Sequence, residues 1–131
     1  MKHPEYAIQK EVCKYLDIQY PGVLYMSDTV ASLRLTMGQA MRNKAIQKDG
    51  FKTPDLIILE TKGMYCGLFI ELKTTDDDLF KKRSKDLKND HVIGQYKSIK
   101  DLRSKGYFAC FCSGFDETKT VIDTYMKLKQ K

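Results

Sequence analysis

The first pattern of hydrophobic and polar positions along the chain is helical. Ile8, Val12 and Leu16 recur at the spacing that places them on one stripe of a helix, which predicts a helix over residues 4–19. Pro4 suits the first turn of that helix because its missing N–H group would have no helical partner there. We therefore expect an amphipathic helix at this end of the chain.

The periodicities of helices and strands also divide the rest of the chain. They predict a turn at residues 20–22, a short strand at 23–26, a helix within 32–48, strands at 56–59 and 66–73 that form a hairpin, an exposed charged excursion at 75–90, a helix at 91–105, a strand at 107–112 and a last helix at 116–129. The continuous apolar run at 56–59 is typical of a strand covered on both faces. This order predicts the α/β class, with helices around one small mixed β-sheet.

Length and composition limit the organisation of the protein. A chain of 131 residues, 42% hydrophobic and 31% charged, is long enough for one domain with one core. No window approaches the roughly 20 apolar residues of a membrane span, so no membrane partner is expected. The first residues lack the apolar segment of a secretory signal, which predicts that the protein acts in the cytoplasm where it is made.

The charge balance points towards nucleic acid as a partner. The net charge is +6 and the pI is about 9.1, although a solvated surface is equally compatible with the charge alone. The basic residues are spread along the chain, which suits a surface that follows a phosphate backbone. Those that precede the Pro54-Asp55 pair are Arg34, Arg42, Lys44, Lys48 and Lys52.

The four cysteines do not predict a zinc site. Cys13, Cys66, Cys110 and Cys112 have no Cys-x-x-Cys spacing and no histidine pair nearby. We expect buried free thiols in a reducing cytoplasm.

Polar residues fall on two predicted helix faces that should be buried. Glu5 lies at the centre of the apolar stripe of the first helix, with Gln9 beside it, whereas Glu11 projects well away. On the helix at 91–105, Gln95 lies within the inner face. That face is formed by Val92, Tyr96, Ile99 and Leu102. Because polar groups are rarely buried without a partner, these positions are the first indication of a site.

The strand at 66–73 combines an apolar face with a charged one. Because side chains alternate along a strand, Glu71 and Lys73 share one face, and the opposite face carries only leucine and isoleucine. Pro54 fixes the backbone that leads into the neighbouring strand, which Asp55 opens. Pairing of the two strands can therefore bring Asp55 and Glu71 close enough to share a cation.

Two converging carboxylates in a dry site repel each other unless a metal neutralises them, and such oxygen ligands select Mg²⁺ or Mn²⁺. The metal would polarise a phosphoryl oxygen, and Lys73 beside it would orient or deprotonate a water, or stabilise transition-state charge. The sequence leaves these roles of Lys73 open. Alone, a Glu-x-Lys strand usually forms a surface salt bridge and a Pro-Asp pair a turn. Together, Glu5, Asp55, Glu71 and Gln95 predict a common partner, which a metal–phosphate site supplies.

These residues resemble the PD-(D/E)xK nuclease superfamily, whose signature corresponds to Pro54-Asp55 followed by Glu71-Leu72-Lys73. The wider pattern is similar to the virus-type replication–repair nuclease branch (VRR-NUC) of that superfamily. The matching residues are His3-Pro4-Glu5 with Gln9, Pro54-Asp55-Leu56, the run from Gly67 to Thr74, Gln95, and Gly106-Tyr107. The resemblance covers nearly the whole chain and implies a single restriction-endonuclease-like domain over residues 1–131.

The resemblance also implies an activity, the metal-dependent hydrolysis of DNA phosphodiester bonds by an endonuclease that uses Mg²⁺ or Mn²⁺. Asp55 and Glu71 would bind the metal, helped by the backbone carbonyl of Leu72 and by Glu5. Lys73 would be the catalytic lysine.

Substrate and assembly follow from the same resemblance. Gln95 would be the helix-borne glutamine that supports the site or meets DNA. Stand-alone members of this branch tend to be homodimers that cut branched DNA, such as four-way junctions, in phage and bacterial settings. The expected partners are therefore double-stranded or branched DNA and a second copy of the chain. The candidate DNA contacts are Lys52, Lys81, Lys82 and Arg83, of which the last three also suit a solvated face.

Two departures from the family pattern leave the DNA substrate open. Family members usually carry glycine two residues before the Pro-Asp pair, where this chain has Lys52, and the stretch from 73 to 95 is longer than usual. One alternative is a sequence-specific restriction or homing-type nuclease. Others are a catalytically silent DNA-binding module on the same fold and a plain α/β protein with a surface ion pair. The complete set of Asp55, Glu71 and Lys73 favours an active enzyme.

Overall fold

A four-stranded mixed sheet lies at the centre of the structure. The computed structural model describes residues 4–28, 35–74, 87 and 89–129, which contain four helices and four strands. In chain order these are α1 (Pro4–Gln19), β1 (Tyr25–Ser27), α2 (Met37–Ala45), β2 (Leu56–Ile58), β3 (Leu68–Lys73), α3 (Asp90–Ser104), β4 (Phe108–Ser113) and α4 (Gly114–Met126). The α/β class and the small sheet flanked by helices are confirmed.

The register of the predicted hairpin aligns two acidic residues. The strands lie in the order β1-β2-β3-β4, and every pair is antiparallel except β3–β4. Leu56 of β2 pairs with Ile70 of β3. Asp55 precedes Leu56 and Glu71 follows Ile70, so the antiparallel register continues to place the two carboxylates opposite each other.

Helices cover both faces of the sheet. On one face, which we call the α1/α4 face, Leu68, Ile70 and Leu72 are fully buried in the larger hydrophobic core. On the opposite α3 face, Phe69 packs against a smaller cluster. The buried members of that cluster are Ile99, Leu102 and Ala109. The alternation along β3 therefore sends its leucine and isoleucine residues to one helical layer, and Phe69 and the charged residues towards the other.

Local sequence explains where α3 begins and ends. The Asn89 side chain accepts a hydrogen bond from the Val92 N–H at 3.0 Å, and Gly106 follows the helix with φ of 94°. The prediction that Tyr96 belongs to the inner face of this helix is wrong, because Tyr96 is 38% exposed. The buried arc of α3 centres on Gln95, Ser98 and Leu102, and Tyr96 lies about 100° away from that centre at the spacing of an α-helix.

The helix predicted within 32–48 is confirmed at Met37–Ala45, but it buries none of its residues. The N-terminus is specified locally: the Thr36 side chain accepts from the Gln39 N–H at 3.1 Å, and the Gln39 side chain accepts from the Thr36 N–H at 2.9 Å. Met37 and Met41, two apolar residues of this helix, are exposed. The pattern predicted the helix and did not predict its packing.

Some predicted bounds and burials are also wrong. The strand at 56–59 ends at Ile58, and Leu59 is exposed because it already belongs to the hairpin connection. Of the thiols expected to be buried, Cys66 is exposed, since it precedes β3 in that connection. Among the described residues, no helix has the length and apolar character needed to cross a membrane. The 75–90 excursion, with Lys81, Lys82 and Arg83, lies outside the described residues except for positions 87, 89 and 90.

Candidate metal-dependent active site

A cavity of about 500 Å³ opens where the hairpin, α1 and α3 meet. Its walls include five residues that the sequence predicted for a site, namely Glu5, Asp55, Glu71, Lys73 and Gln95. Three elements position them. Asp55, Glu71 and Lys73 come from the α3 face of the hairpin, Gln95 comes from α3, and Glu5 comes from the first turn of α1.

The three carboxylates of the cavity form one group. One oxygen each of Glu5, Asp55 and Glu71 lies within 4.8 Å of the other two. The Asp55 Oδ2 also accepts a hydrogen bond from the Leu72 N–H at 2.8 Å. Because the N–H and C=O of one residue point to the same side of an extended strand, the Leu72 carbonyl lies on the Asp55 side of β3. All four predicted metal ligands therefore converge on one region.

Burial makes this group electrostatically costly without a cation. Glu71 is 4% exposed and Lys73 is 6% exposed. Burial, followed by the negative charge of Asp55, raises the pKa of Glu71 far above its ordinary value, and the Lys73 ammonium only partly opposes that rise. A hydrated divalent cation would remove the repulsion, and the all-oxygen donor set fits Mg²⁺ or Mn²⁺.

Gln95 connects α3 to the carboxylate group. Its Nε2 donates to the Glu71 Oε1 at 2.8 Å, which fixes the orientation of that carboxyl group. Gln95 is only 7% exposed, and its Oε1 is a buried acceptor that lacks a hydrogen-bond partner within the described part of the chain. Because buried acceptors are normally paired, a water at the cavity floor fits this position. The cavity is thus built to hold more than protein atoms.

Gln9 has a role that the sequence analysis missed. Its Nε2 lies 2.5 Å from the Ser27 Oγ, 2.8 Å from the Asp28 carbonyl oxygen and 3.2 Å from the Asp55 carbonyl oxygen. This amide therefore ties α1 to the end of β1 and to the backbone of Asp55. The signal in the sequence was its place one helical turn after Glu5, on the same face.

His91 is a second residue of the cavity that the sequence analysis missed. It lines the wall together with Lys52 and Lys73. Burial, followed by the charges of these two lysines, lowers the pKa of His91 below its ordinary value. The signal would have been its position four residues before Gln95 on the same helix face. Three basic side chains, those of Lys52, Lys73 and His91, therefore line the same cavity as the carboxylates.

Among the predicted DNA contacts, only Lys52 falls within the described residues, and it lines the cavity beside Lys73. Its backbone N–H donates to the Ser98 Oγ at 2.8 Å, which attaches the segment before Asp55 to α3. Apart from Leu72, the predicted site residues that the structure describes thus line one cavity.

Comparisons with known proteins bear on the fold. No model of a protein family matches the chain, and no curated protein is similar to it. A solved structure described as a VRR_NUC domain protein is similar over 99% of this chain and 93% of its own, with a TM-score of 0.63 and 24% sequence identity. This likeness shows that the chain has the fold of that protein, and it confirms the fold predicted from the resemblance to the VRR-NUC branch.

Proposed function

We propose that residues 1–131 form one nuclease domain, a divalent-metal-dependent endonuclease that hydrolyses DNA phosphodiester bonds. The observation that supports this most directly is the group formed by Glu5, Asp55 and Glu71, whose oxygens lie within 4.8 Å of one another beside a buried lysine. Buried carboxylates of this kind are expensive in a purely structural role. Their position on the fold of a VRR_NUC domain protein adds support.

Mg²⁺ is the proposed cofactor, with Mn²⁺ as a substitute. Glu5, Asp55, Glu71 and the Leu72 carbonyl would hold it, since hard oxygen donors are the ligands these ions prefer. When bound, the ion supplies Lewis-acid polarisation of a phosphoryl oxygen. The Gln95 amide keeps the Glu71 carboxyl in position by its 2.8 Å hydrogen bond.

Lys73 is the proposed catalytic lysine. Its ammonium shares the α3 face of β3 with Glu71, and it is buried within the cavity that the carboxylates line. A cation fixed there stabilises the negative charge that accumulates on the phosphoryl oxygens during the attack of water. It also donates a hydrogen bond that orients the attacking water. Both effects require the side chain to stay in place during the reaction, and burial on a central strand restrains it.

We further propose branched DNA, such as four-way junctions or flaps, as the substrate, a homodimer as the acting form, and the cytoplasm of a bacterial or phage-infected cell as the location. The net charge of +6 supports a polyanionic substrate. A homodimer carries two sites related by a two-fold axis, which suits symmetric cuts in a two-fold junction. The choice of branched DNA rests on the family resemblance.

The experiment is a cleavage panel with purified protein on a four-way junction, a flap, a nicked duplex, linear duplex and single-stranded DNA, each with Mg²⁺, Mn²⁺ or EDTA. Wild type should cut a branched substrate only with metal, and Glu71→Gln should not cut. Lys97→Ala, which changes an exposed lysine on α3, is the matched control. Cleavage of linear duplex at one sequence would favour a restriction-type enzyme. DNA binding without cleavage under every condition would favour a silent module.

A further inference from the structure

The stem of Lys52 crosses α3 at a glycine. A Cβ placed on Gly94 would lie 2.6 Å from the Lys52 Cε, 3.3 Å from its Cδ and 3.9 Å from its Nζ. Gly94 lies inside α3, where glycine is less favourable than alanine. Any larger residue at position 94 would displace the end of the lysine side chain.

The backbone of Lys52 is attached to the same turn of α3. Its N–H donates to the Ser98 Oγ at 2.8 Å, and the Ser98 hydroxyl donates in turn to the Gly94 carbonyl at 3.2 Å. Ser98 is fully buried. Phe51, the residue before Lys52, packs on the hydrophobic cluster beneath α3. Backbone and side chain are thus held against one helical turn, which limits where the ammonium can lie.

This placement brings the Lys52 side chain to the cavity. Lys52 lines the cavity with Lys73, His91 and the carboxylates. Among the residues that the structure describes, Lys52 forms no salt bridge, unlike Lys119, which pairs with Asp123. A lysine that merely covers a helix surface needs no glycine beneath it. Here the glycine lets the stem pass and the charge reach the cavity.

We propose that Gly94 and Lys52 form a positioning pair, in which Gly94 leaves room for the Lys52 stem and the Lys52 ammonium binds a backbone phosphate of the DNA beside the scissile bond. The inference rests on the proposed nuclease function, since it names a contact with the same substrate. Lys73 acts at the carboxylates, whereas Lys52, which is exposed, holds the neighbouring nucleotide in register.

The test compares Lys52→Ala, Gly94→Ala and the double variant. DNA affinity is measured by fluorescence anisotropy in Ca²⁺ as a function of salt, and single-turnover cleavage is measured in Mg²⁺. Lys52→Ala should weaken DNA binding about tenfold, the lower end for a charge-assisted hydrogen bond. It should also reduce the salt slope by about one unit. Gly94→Ala should weaken DNA binding by a smaller factor than Lys52→Ala, because the end of the lysine side chain must shift although every charge is retained, and the double variant should be no worse than Lys52→Ala.

The controls separate this inference from the proposed function. Gly38→Ala adds a Cβ to α2 where the nearest atom, the Arg42 Nη1, is 3.5 Å away, so it should leave DNA binding unchanged. The increase in Tm on adding Mg²⁺ without DNA should be the same in wild type, Lys52→Ala and Gly94→Ala. Absence of that increase in wild type would count against the metal site and not against the pair. Wild-type binding by Gly94→Ala, or additive losses in the double variant, would overturn the inference.

Discussion

The two faces of β3 are both largely buried and chemically different. Towards α1 and α4, Leu68, Ile70 and Leu72 are fully buried in the main hydrophobic core. Removal of their apolar surface area from water stabilises the fold. Towards α3, Glu71 and Lys73 are buried almost as completely, where burial of charge destabilises it. One strand of six residues therefore supports the fold with one face and carries a strained group on the other.

The difference shows why the candidate site lies on a central strand. Pairing with β2 and β4 on its two sides and a leucine–isoleucine face hold the β3 backbone, so its charged residues have little freedom to move apart. The two carboxyl groups consequently stay close together in the folded protein, and the charge of Asp55 helps to raise the pKa of Glu71 so that Glu71 keeps a proton. Substitutions on the charged face should mainly lower activity, and substitutions on the apolar face should mainly lower stability.

The largest expected effect is on catalysis from the charged face. Lys73→Met or Glu71→Gln should lower the single-turnover cleavage rate by about 10²- to 10³-fold or more. In the proposed function, the first removes the cation that stabilises the charge on the phosphoryl oxygens, and the second removes a ligand of the metal. Circular dichroism should report a folded protein for both. A rate within tenfold of wild type for either variant would contradict the assignment of that residue.

The apolar face should give the largest effect on stability. Ile70→Ala should lower the free energy of unfolding by about 2–5 kcal/mol, because it leaves a cavity in a fully packed core. Urea denaturation measures this value, and Glu71→Gln provides the comparison on the adjacent residue. If Glu71→Gln destabilised the metal-free protein as much as Ile70→Ala, the contrast between the two faces would be wrong.

The charged face should also make the metal-free protein sensitive to alkaline pH. Glu71 has a pKa raised from 4.5, so the folded state holds a proton that the unfolded state has already lost above that pH. The contribution of this protonated Glu71 to the free energy of unfolding is fully present below pH 4.5. It is lost as the pH rises towards the elevated pKa that Glu71 has in the folded state. The Tm in EDTA should therefore fall between pH 6 and pH 9, a window set by that elevation.

Glu71→Gln should remove most of this fall and should be more stable than wild type at the alkaline end. Glu11→Gln, at an exposed position of α1, is the matched control and should behave as wild type. Added Mg²⁺ should raise the Tm of wild type increasingly with pH, because metal binding requires the ionised carboxylate. A Tm that is independent of pH in EDTA would contradict the repulsion between Asp55 and Glu71.

The smallest effect is expected far from the cavity, at the contact between α1 and α4. The Asp123 carboxylate accepts from the Tyr15 hydroxyl at 2.5 Å, from the Tyr20 hydroxyl at 2.7 Å and from the Lys119 ammonium at 3.1 Å. Asp123→Asn should cost about 1 kcal/mol, because the cluster is partly solvated. Cleavage per folded molecule should be unchanged. A loss of activity without unfolding would show that this face also serves the site.

Sequence patterns predicted the parts of this comparison that depend on a single element. Strand alternation placed Glu71 and Lys73 on one face, and helical phase turned Glu5 and Gln95 inward. These predictions succeed because side-chain direction follows directly from backbone periodicity. The pairing of Asp55 with Glu71 needed one further step, the assumption of a hairpin.

Features that depend on how elements pack together could not be predicted in this way. The exposure of Tyr96 and of α2 depends on which arc of each helix meets the sheet. The contact of Lys52 with Gly94 joins residues more than forty positions apart on separate elements, and no local pattern connects them. Gln9 looked like a neighbour of Glu5, yet it holds the backbone of Asp55.

Because helix α2 is capped by its own residues and buries none of its side chains, the walls of the cavity should differ in rigidity. Asn43 and Gln47 line the cavity from this region, while α2 buries no side chain and its start is fixed by its own capping box. Local opening of such a helix disrupts little tertiary packing, so its amide protons should exchange with solvent far sooner than those of α3. The residues that β3 and α3 contribute to the cavity belong to elements with several buried side chains, so they should keep their positions while α2 opens.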